Sequence, residues 1–299
     1  MRQLGYGVGH FGVVLLFALL GSVSALAEKI SIVMPAYNSA AYISDAIRSV
    51  LDQTHSDWEL IVVNDGSTDN TSDVVARFAA TDDRIRLVTL ALNGGVGNAR
   101  NAALRHVSAR YVAFLDSDDF WLPRKLEEQL AFMQENDFAL TFTAYRALGS
   151  DGRSVGAIVR SHPAELKYQD LLKQNQIPVF TVMLDREKVG DFAFYSGYNE
   201  DFLLWLYFAK QNISAHLLDQ DLGRLRRLPT SISANKFRAA KEFWIVLRKH
   251  EQLGLTTAAF YFLNYATRSV LKYLFKHRNF HWFGNSCPAN LLQEATNSE

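Results

Sequence analysis

The chain has 299 residues, 48% of them hydrophobic, and its 31 Lys and Arg residues balance its 31 Asp and Glu residues. This length and composition fit a globular protein with one large α/β domain and appendages. The neutral balance excludes neither a cationic nor an anionic partner. The single cysteine, Cys287, excludes an intramolecular disulfide and a cysteine-based zinc site.

The charges are unevenly distributed along the chain. Between Arg224 and Arg278 there are twelve Lys and Arg residues but only two acids, Glu242 and Glu251. Because this part also contains apolar aromatic stretches, the pattern indicates contact with phosphates or with an anionic membrane surface. An ordinary solvated helix face is an equally good interpretation.

The N-terminus carries a short apolar run, Phe11–Leu20, which follows Arg2 and precedes Ser24-Ala25-Leu26-Ala27. The Ala-x-Ala pattern is typical of a signal-peptide cleavage site. A cleaved signal, a membrane-proximal anchor and upstream sequence from a misplaced start are three competing interpretations. We interpret residues 1–28 as a non-catalytic extension.

Hydrophobic patterns predict elements in chain order, with short apolar runs alternating with amphipathic helices over the first 140 positions. The predicted strands are Ile30–Met34, Glu59–Val63, Ile85–Leu90, Tyr111–Leu115, Ala139–Thr143 and Phe180–Leu184. The predicted helices are 42–51, 71–78, Asn98–His106, 123–133, Asp201–Lys210, Lys236–His250 and Thr256–His277. Beyond Gly197 we predict helices only.

This alternation requires parallel strands joined by right-handed crossovers. We therefore expect an α/β fold with a Rossmann-like, mostly parallel sheet flanked by helices, followed by a helical C-terminal extension. The main domain is predicted over 29–235, the basic and aromatic helical extension over 236–278, and a poorly ordered tail over 279–299.

Two of the apolar runs end abruptly in carboxylates. Leu60–Gly66 ends at Asp65, and Val112–Asp119 ends at Asp116, Asp118 and Asp119. In an open α/β sheet, ligands bind outside the carboxyl ends of the strands. Clustered acids repel one another unless a cation or hydrogen-bond donors lie among them. The pattern therefore predicts a crevice that takes a metal ion together with a sugar nucleotide.

Four segments in order carry a family resemblance. They are Ser-Ile-Val-Met-Pro-Ala-Tyr-Asn at 31–38, Val-Asn-Asp-Gly-Ser-Thr-Asp at 63–69, Phe-Leu-Asp-Ser-Asp-Asp at 114–119 and Asn-Glu-Asp-Phe-Leu-Leu-Trp-Leu at 199–206. This set resembles the family 2 glycosyltransferases, which are inverting nucleotide-sugar transferases with a GT-A fold. The resemblance covers about Lys29 to Lys241 and is closest to bacterial enzymes of polysaccharide or cell-envelope biosynthesis.

Two departures from the family pattern matter. The family often shows Tyr-Arg-x-His before Ser-x-Ser, whereas this chain has Leu225, Arg226 and Leu228 before Ser231 and Ser233. Arg226 alone matches, so the expected role of this loop in diphosphate binding rests on Arg226. A Gln-x-x-Arg-Trp segment, which processive relatives carry, is missing, and this favours transfer of one sugar per acceptor visit.

The resemblance implies a metal site at Asp116-Ser117-Asp118. Asp118 is expected to bind Mg²⁺ or Mn²⁺, and Asp116 to contact the ribose or the metal, since hard oxygen ligands suit these ions. An Asx-turn at a strand end is the alternative for this motif. Asp119 is interpreted as a cap for the helix that begins near Pro123.

The donor-binding residues follow from the same resemblance. The Asp65 carboxylate is expected to accept a hydrogen bond from the nucleotide base, most simply from N3–H of uracil, and guanine or thymine would also suit an acid. Pro35, Tyr37 and Asn38 are expected to line the same crevice, and Arg100 to lie near the nucleotide.

Asp201 resembles the aspartate of the family's Glu-Asp segment, and this resemblance implies that it is the general base. It lies at the start of a predicted helix, whose dipole favours an ionised carboxylate. Glu200 is expected to orient the acceptor or to support the site. Complementing the helix dipole is the alternative role for both acids.

The resulting hypothesis is an inverting, metal-dependent enzyme that transfers a sugar from a nucleoside-diphosphate sugar, most simply a UDP-sugar, to a glycan or lipid-linked acceptor. Such donors are made in the cytosol, so we expect a cytoplasmic location, with peripheral contact at the inner face of the membrane and no nucleic-acid partner. A nucleotidyltransferase and a non-catalytic sugar-nucleotide binding protein are the alternatives.

Overall fold

A computed structural model describes residues 28–148, 155–228 and 236–274. The predictions for the N-terminal extension as far as residue 27, for Ser231 and Ser233, and for everything after 274 lie outside these residues. The chain divides into two compact units. The first unit, within the described residues, is 28–148, 155–167 and 177–228, and the second is 168–176 with 236–274.

The first unit is built on one ten-stranded sheet in the order β3-β2-β1-β4-β9-β6-β10-β5, with β7 beside β6 and β8 beside β10. The strands are β1 (Ile30–Ala36), β2 (Trp58–Asp65), β3 (Ile85–Leu90), β4 (Tyr111–Phe114), β5 (Phe120–Trp121), β6 (Leu140–Leu148), β7 (Val155–Val159), β8 (Glu165–Leu166), β9 (Val182–Asp185) and β10 (Ala215–Leu225).

The sheet is parallel where strands alternate with helices and antiparallel elsewhere. Parallel pairs join β1 to β2 and β4, β2 to β3, and β6 to β10. Antiparallel pairs join β9 to β4 and β6, β7 to β6, and β10 to β5 and β8. The α/β class predicted from the sequence is confirmed, and the sheet as a whole is mixed.

The helices of the first unit flank this sheet. They are α1 (Ile43–Leu51), α2 (Thr71–Ala79), α3 (Val96–Leu104), α4 (Lys125–Glu135), α6 (Arg186–Val189) and α7 (Glu200–Lys210). The buried face of α1, Ile43, Ala46, Ile47 and Val50, has the spacing expected of an amphipathic helix. β1 is buried along its whole length because helices cover both faces of a parallel sheet.

All six predicted strands are present, but the prediction of helices alone beyond Gly197 was wrong. β10 is an eleven-residue strand, Ala215–Leu225, paired with β6 inside the sheet. Irregular pairing between Leu218 and Arg224 breaks the alternation of apolar and polar side chains. Asp221 is held there by Arg146 at 2.7 Å, a long-range ion pair that no local pattern reveals.

The second unit contains α5 (Tyr168–Leu171), α8 (Lys236–Ile245), a π-helical turn (Val246–His250) and α9 (Leu255–Leu274). Stacked rings of Phe243 and Tyr265, with centroids 4.3 Å apart, hold α8 against α9. Within the described ranges, no helix combines the length and the apolar character needed to cross a membrane.

A partly exposed polar cluster lies at the amino-terminal edge of the sheet. Glu59 accepts hydrogen bonds from the hydroxyls of Ser31 and Ser108, from the backbone N–H of Ser108 at 2.8 Å and from the Lys29 amine at 3.0 Å. Burial raises the pKa of Glu59, but these donors outweigh it and bring the pKa down to about 2. The folded state therefore stabilises the ionised carboxylate.

We predict that Glu59→Gln removes a pH-dependent part of the stability. A carboxylate with a lowered pKa stabilises the fold fully above its unfolded pKa of 4.5, and this contribution is lost as the pH falls towards 2. Urea unfolding should show a loss of about 1–3 kcal/mol at pH 7 that shrinks near pH 3. Glu135→Gln, exposed at the end of α4, is the control, and a pH-independent Glu59→Gln effect would contradict the prediction.

Candidate active site

The carboxyl ends of β1, β2 and β4 are adjacent in the sheet. Ala36 pairs with Asn64, and Val33 pairs with Phe114, so the segments that follow these three strands emerge at one edge. The residues after β1, the turn after Asp65 and the acidic turn that begins at Asp116 therefore converge. This is the edge of the sheet at which the sequence predicts the crevice.

Asp65, at the end of β2, holds the glycine turn that precedes α3. Its two carboxylate oxygens accept hydrogen bonds from the backbone N–H groups of Gly94 at 2.9 Å and Gly95 at 2.8 Å. The next residue, Gly66, has φ of +66°, and a Cβ there would lie 2.7 Å from the backbone nitrogen of Asn93. Only glycine allows the two turns to approach so closely.

The segment after β1 is fastened to the turn after β2. Asn38 accepts a hydrogen bond on Oδ1 from the backbone N–H of Thr68 at 2.9 Å, and its own N–H donates to the Ser67 hydroxyl at 3.0 Å. Pro35 is buried within β1, whereas the Tyr37 side chain is half exposed. Of the three residues predicted to line the crevice, Tyr37 and Asn38 are therefore exposed to a ligand and Pro35 is not.

Arg100 joins two acidic segments that are distant in sequence. Its guanidinium lies 2.6 Å from an Asp116 carboxylate oxygen and 2.7 Å from a Glu200 carboxylate oxygen, and only 3% of its side chain is exposed. The Phe194 ring covers the guanidinium at 5.2 Å. The start of α7 is thus fixed beside the turn after β4.

A glycine on α3 makes this approach sterically feasible. A Cβ at Gly97 would collide with the carbonyl oxygen of Tyr195 and would lie 3.4 Å from Cβ of Glu200. The chain leading into α7 therefore passes directly over the first turn of α3. One turn further along α3, Arg100 reaches Glu200 from the same side.

Asp201 lies in the first turn of α7, next to Glu200. Burial and the neighbouring charge of Glu200 raise the pKa of Asp201 to about 7, although Arg100 opposes the rise. Its Oδ1 accepts a hydrogen bond from the backbone N–H of Phe202 at 2.6 Å. A carboxylate with a pKa near neutrality is suited to accept a proton and to release it again.

The acidic turn after β4 is anchored by the segment after β10. Asp119 is buried and accepts a hydrogen bond from the backbone N–H of Arg226 at 2.8 Å. The Arg226 guanidinium donates to the carbonyl oxygen of Asp118 at 3.0 Å and to the Asp45 carboxylate at 3.0 Å. Arg226, predicted to bind diphosphate, therefore lies beside the metal motif.

Two acids of this turn, Asp118 and Asp119, have raised pKa values. Burial and the nearby charge of Asp116 raise the pKa of Asp118 to about 6. Burial, followed by the charges of Asp116 and Asp118, raises the pKa of Asp119 well above its usual range. A cation beside these oxygens would relieve both effects.

These residues fit Mg²⁺ or Mn²⁺. Over the ranges the structure describes, no three His, Cys, Asp or Glu residues are grouped to hold a metal ion by themselves. Mg²⁺ in phosphate-transferring sites is commonly bound by one or two carboxylates together with substrate phosphates. Asp118 and Asp116 match that pattern of ligands.

The fold and these motifs define a nucleotide-sugar transferase, and comparison with known proteins supports this assignment. The sequence model of Glycosyl transferase family 2 matches residues 31–187, and the chain belongs to this family. TuaG of Bacillus subtilis (strain 168), a glycosyltransferase assigned to teichuronic acid biosynthesis, is 41% identical over 82% of this chain and 97% of its own length. WfgD of Escherichia coli, named as a UDP-Glc:alpha-D-GlcNAc-diphosphoundecaprenol beta-1,3-glucosyltransferase, is 39% identical over 84% of this chain and 97% of its own length.

Solved structures confirm the GT-A fold. TarS 1–349 of S. aureus in complex with UDP-GlcNAc superposes with a TM-score of 0.61 at 20% identity, covering 81% of this chain and 73% of that TarS chain. The mannosyltransferase PcManGT of Pyrobaculum calidifontis, with GDP-Man and Mn²⁺, gives 0.59 at 17% identity over 85% and 76% of the two chains. The protein is a glycosyltransferase, which disfavours the nucleotidyltransferase and the non-catalytic binding protein.

Sequence analysis missed some of the residues that build the site. Asp119 was interpreted as a helix cap, but its carboxylate anchors the backbone of Arg226 instead. Ser117 contacts Ser39 through their hydroxyls at 2.7 Å and ties the acidic turn to the segment after β1. The available sequence signal was a third acid, Asp119, directly after Asp116-Ser117-Asp118. A helix cap is usually exposed, whereas Asp119 is buried.

We predict that Arg100→Lys lowers kcat by at least about tenfold, because an ammonium group cannot hold two carboxylates in the fixed geometry of a guanidinium. Arg100→Met should in addition destabilise the fold by about 3–5 kcal/mol, since it leaves Asp116 and Glu200 without their buried partner. Steady-state kinetics and urea unfolding measure the two effects. Arg105→Lys, exposed just after α3, is the control. Unchanged kcat in Arg100→Lys would contradict this role.

Proposed function

We propose that this chain is an inverting, metal-dependent glycosyltransferase that moves a sugar from a UDP-sugar to an acceptor hydroxyl. One observation carries the proposal: buried Arg100 contacts Asp116 and Glu200 within 2.7 Å. It thereby joins the acidic turn expected at the diphosphate to the helix end that carries the expected base. The proposed donor side and the proposed acceptor side of the site would therefore both lie beside the Arg100 guanidinium.

The donor is proposed to bind along the edge formed by β1, β2 and β4. The Asp65 carboxylate has acceptor sites beyond the two that Gly94 and Gly95 use, and these can receive N3–H of uracil. The half-exposed Tyr37 ring offers a surface for the base or ribose. WfgD is named for UDP-Glc, and TarS was solved with UDP-GlcNAc, which supports a UDP head group.

Asp118, together with Asp116, would hold Mg²⁺ or Mn²⁺. When bound, the cation supplies Lewis-acid stabilisation for the charge that gathers on the leaving diphosphate. The Mn²⁺ in the PcManGT structure supports a divalent ion at such a site. Arg226, fixed against Asp118 and Asp45, adds positive charge at the same end of the crevice.

Asp201 is proposed to accept the proton of the acceptor hydroxyl as that oxygen attacks the anomeric carbon. Attack from the side opposite the departing UDP inverts the configuration at that carbon. Glu200, held by Arg100 at 2.7 Å, positions the first turn of α7 and orients the acceptor. Each transfer then forms one glycosidic bond, breaks the bond to UDP and leaves the proton on Asp201.

The acceptor is proposed to be a glycan or lipid-linked sugar in bacterial cell-envelope polysaccharide synthesis. TuaG and WfgD are named for teichuronic acid biosynthesis and for a diphosphoundecaprenol-linked acceptor, respectively. Both donor and lipid-linked acceptor would be available at the inner face of the cytoplasmic membrane, which supports a cytoplasmic location with peripheral membrane contact.

We predict that a UDP-sugar raises Tm only in the presence of Mn²⁺ or Mg²⁺. Ligand at about 100 times Kd stabilises the folded state by about 2.7 kcal/mol, which is measurable by thermal shift. Asp118→Ala should abolish the metal-dependent shift, whereas Asp83→Ala, an exposed aspartate, should retain it. A shift of equal size without metal would count against the role given to Asp118.

We predict that Asp201→Asn lowers kcat by about 10²–10⁴-fold while donor binding is retained. The wild-type rate should fall as the pH drops below about 7, because protonated Asp201 cannot accept a proton. The groups that set this value are Glu200 and Asp116, which raise it, and Arg100, which lowers it. Asp73→Asn, exposed on α2, is the control for the kinetics.

The products of the same reactions test the reaction class. Released UDP with an inverted glycosidic linkage is the expected outcome, and released pyrophosphate or a retained linkage would refute the proposal. A full-rate Asp201→Asn enzyme would refute the assignment of the base alone.

A further inference from the structure

The helix α9 exposes an apolar face to solvent. Phe260, Leu263 and Val270 are 59%, 65% and 56% exposed. With Thr267 they follow one another at intervals of three or four residues, so they lie along one side of the helix. We call these four residues the outer stripe.

The opposite side of α9 accounts for the packing of the second unit. Phe262 meets Trp244 with ring centroids 5.4 Å apart, Tyr265 stacks on Phe243, and Ala258 is fully buried. The outer stripe lies on the side of α9 away from these contacts. Several large apolar side chains exposed along one helix face mark an interaction surface rather than ordinary scattered exposure.

Basic residues outnumber acids in the described part of the second unit, and one of them borders the outer stripe. Arg268 is exposed and follows Phe260 and Asn264 at intervals of four residues, so it borders the stripe. Lys241, Arg248 and Lys249 are also exposed in the same unit. Between 236 and 274 the basic residues are Lys236, Arg238, Lys241, Arg248, Lys249, Arg268 and Lys272, against the acids Glu242 and Glu251.

We propose that the outer stripe of α9 lies in the interface of an anionic lipid bilayer, with Phe260, Leu263 and Val270 below the headgroups and the basic side chains on the lipid phosphates. Apolar side chains on one face and cations at its border are the physical requirements for such binding. The long stem of Arg268 allows its charge to stay at headgroup level. This inference rests on the proposed function through the lipid-linked acceptor, which the bilayer would hold.

The charge pattern selects the bilayer over a second copy of the chain. Two copies meeting through their outer stripes would bring Arg268 and the other basic residues of each unit towards one another, and like charges facing across an interface oppose association. An anionic surface instead attracts the same residues, and salt weakens this attraction.

The test is co-sedimentation of the full chain with vesicles. The wild type should bind phosphatidylcholine vesicles that contain phosphatidylglycerol, and should bind pure phosphatidylcholine vesicles less. Phe260→Ser with Leu263→Ser should weaken binding at least about tenfold, because two large apolar side chains no longer enter the interface. Val155→Ser, a half-exposed valine in β7 of the first unit, is the matched control and should bind as the wild type does.

A second variant separates charge from apolar contact. Lys249→Gln with Arg268→Gln should weaken binding to the anionic vesicles and reduce its dependence on salt. Circular dichroism and metal-dependent UDP binding check that each variant is folded. The inference would be overturned if the wild type did not bind anionic vesicles, or if the outer-stripe variants bound them as strongly as the wild type. It would also be overturned if the outer stripe mediated dimer formation without lipid binding.

Failure of this inference is distinguishable from failure of the proposed function. UDP-sugar binding and sugar transfer to a soluble acceptor, measured without vesicles, test the function alone. The outer-stripe variants should keep wild-type rates in that assay and lose rate only when the acceptor is embedded in anionic vesicles. Equal rates on the embedded acceptor would also overturn the inference.

Discussion

A buried guanidinium organises this protein. Arg100 is almost fully removed from solvent, and a charge in that position is tolerated only with close opposite charges and hydrogen bonds. Asp116 and Glu200 supply both, from positions 84 residues apart in sequence (200 − 116). If Asp116 or Glu200 moved away, the buried Arg100 charge would lose one of its two partners. The acidic turn and the start of α7 therefore stay together. Positioning of this kind is what an enzyme needs to hold two reactants in line.

The two edges of the sheet differ in how their acidic side chains are satisfied. At the start of β2, Glu59 is surrounded by four donor groups, which outweigh burial and lower its pKa to about 2. At the other edge of the sheet, Asp118 is buried beside Asp116, and its pKa rises to about 6. The first arrangement is satisfied within the protein, whereas the second leaves a carboxylate whose pKa an added positive charge would lower. A raised pKa of this kind is typical of a functional site.

The acidic turn also depends on a strand pairing far along the chain. Short β5 pairs antiparallel with the end of β10, where Trp121 lies opposite Gly223. That pairing brings Arg226 to Asp118 and Asp119, so its backbone and guanidinium hold the turn from outside. Arg226, the one residue at 225–233 that matches the family pattern, therefore anchors the acidic turn. The loss of the aromatic and the histidine leaves the anchoring of Arg226 intact.

The sequence by itself determined the parallel half of the fold and the positions of the acids. Apolar runs such as Leu60–Gly66 and the helix spacing in α1 are local patterns, so periodicity reveals them, and four ordered motifs identified the family. The tertiary structure alone decided where β10 lies, that Asp119 anchors Arg226 and that Arg100 joins Asp116 to Glu200. Arg100 and Asp116 are 16 positions apart, whereas the other pairings join residues 75 to 107 positions apart and depend on strand order and on burial in three dimensions. No local hydrophobic period records them, and in β10 the irregular pairing also breaks the period itself.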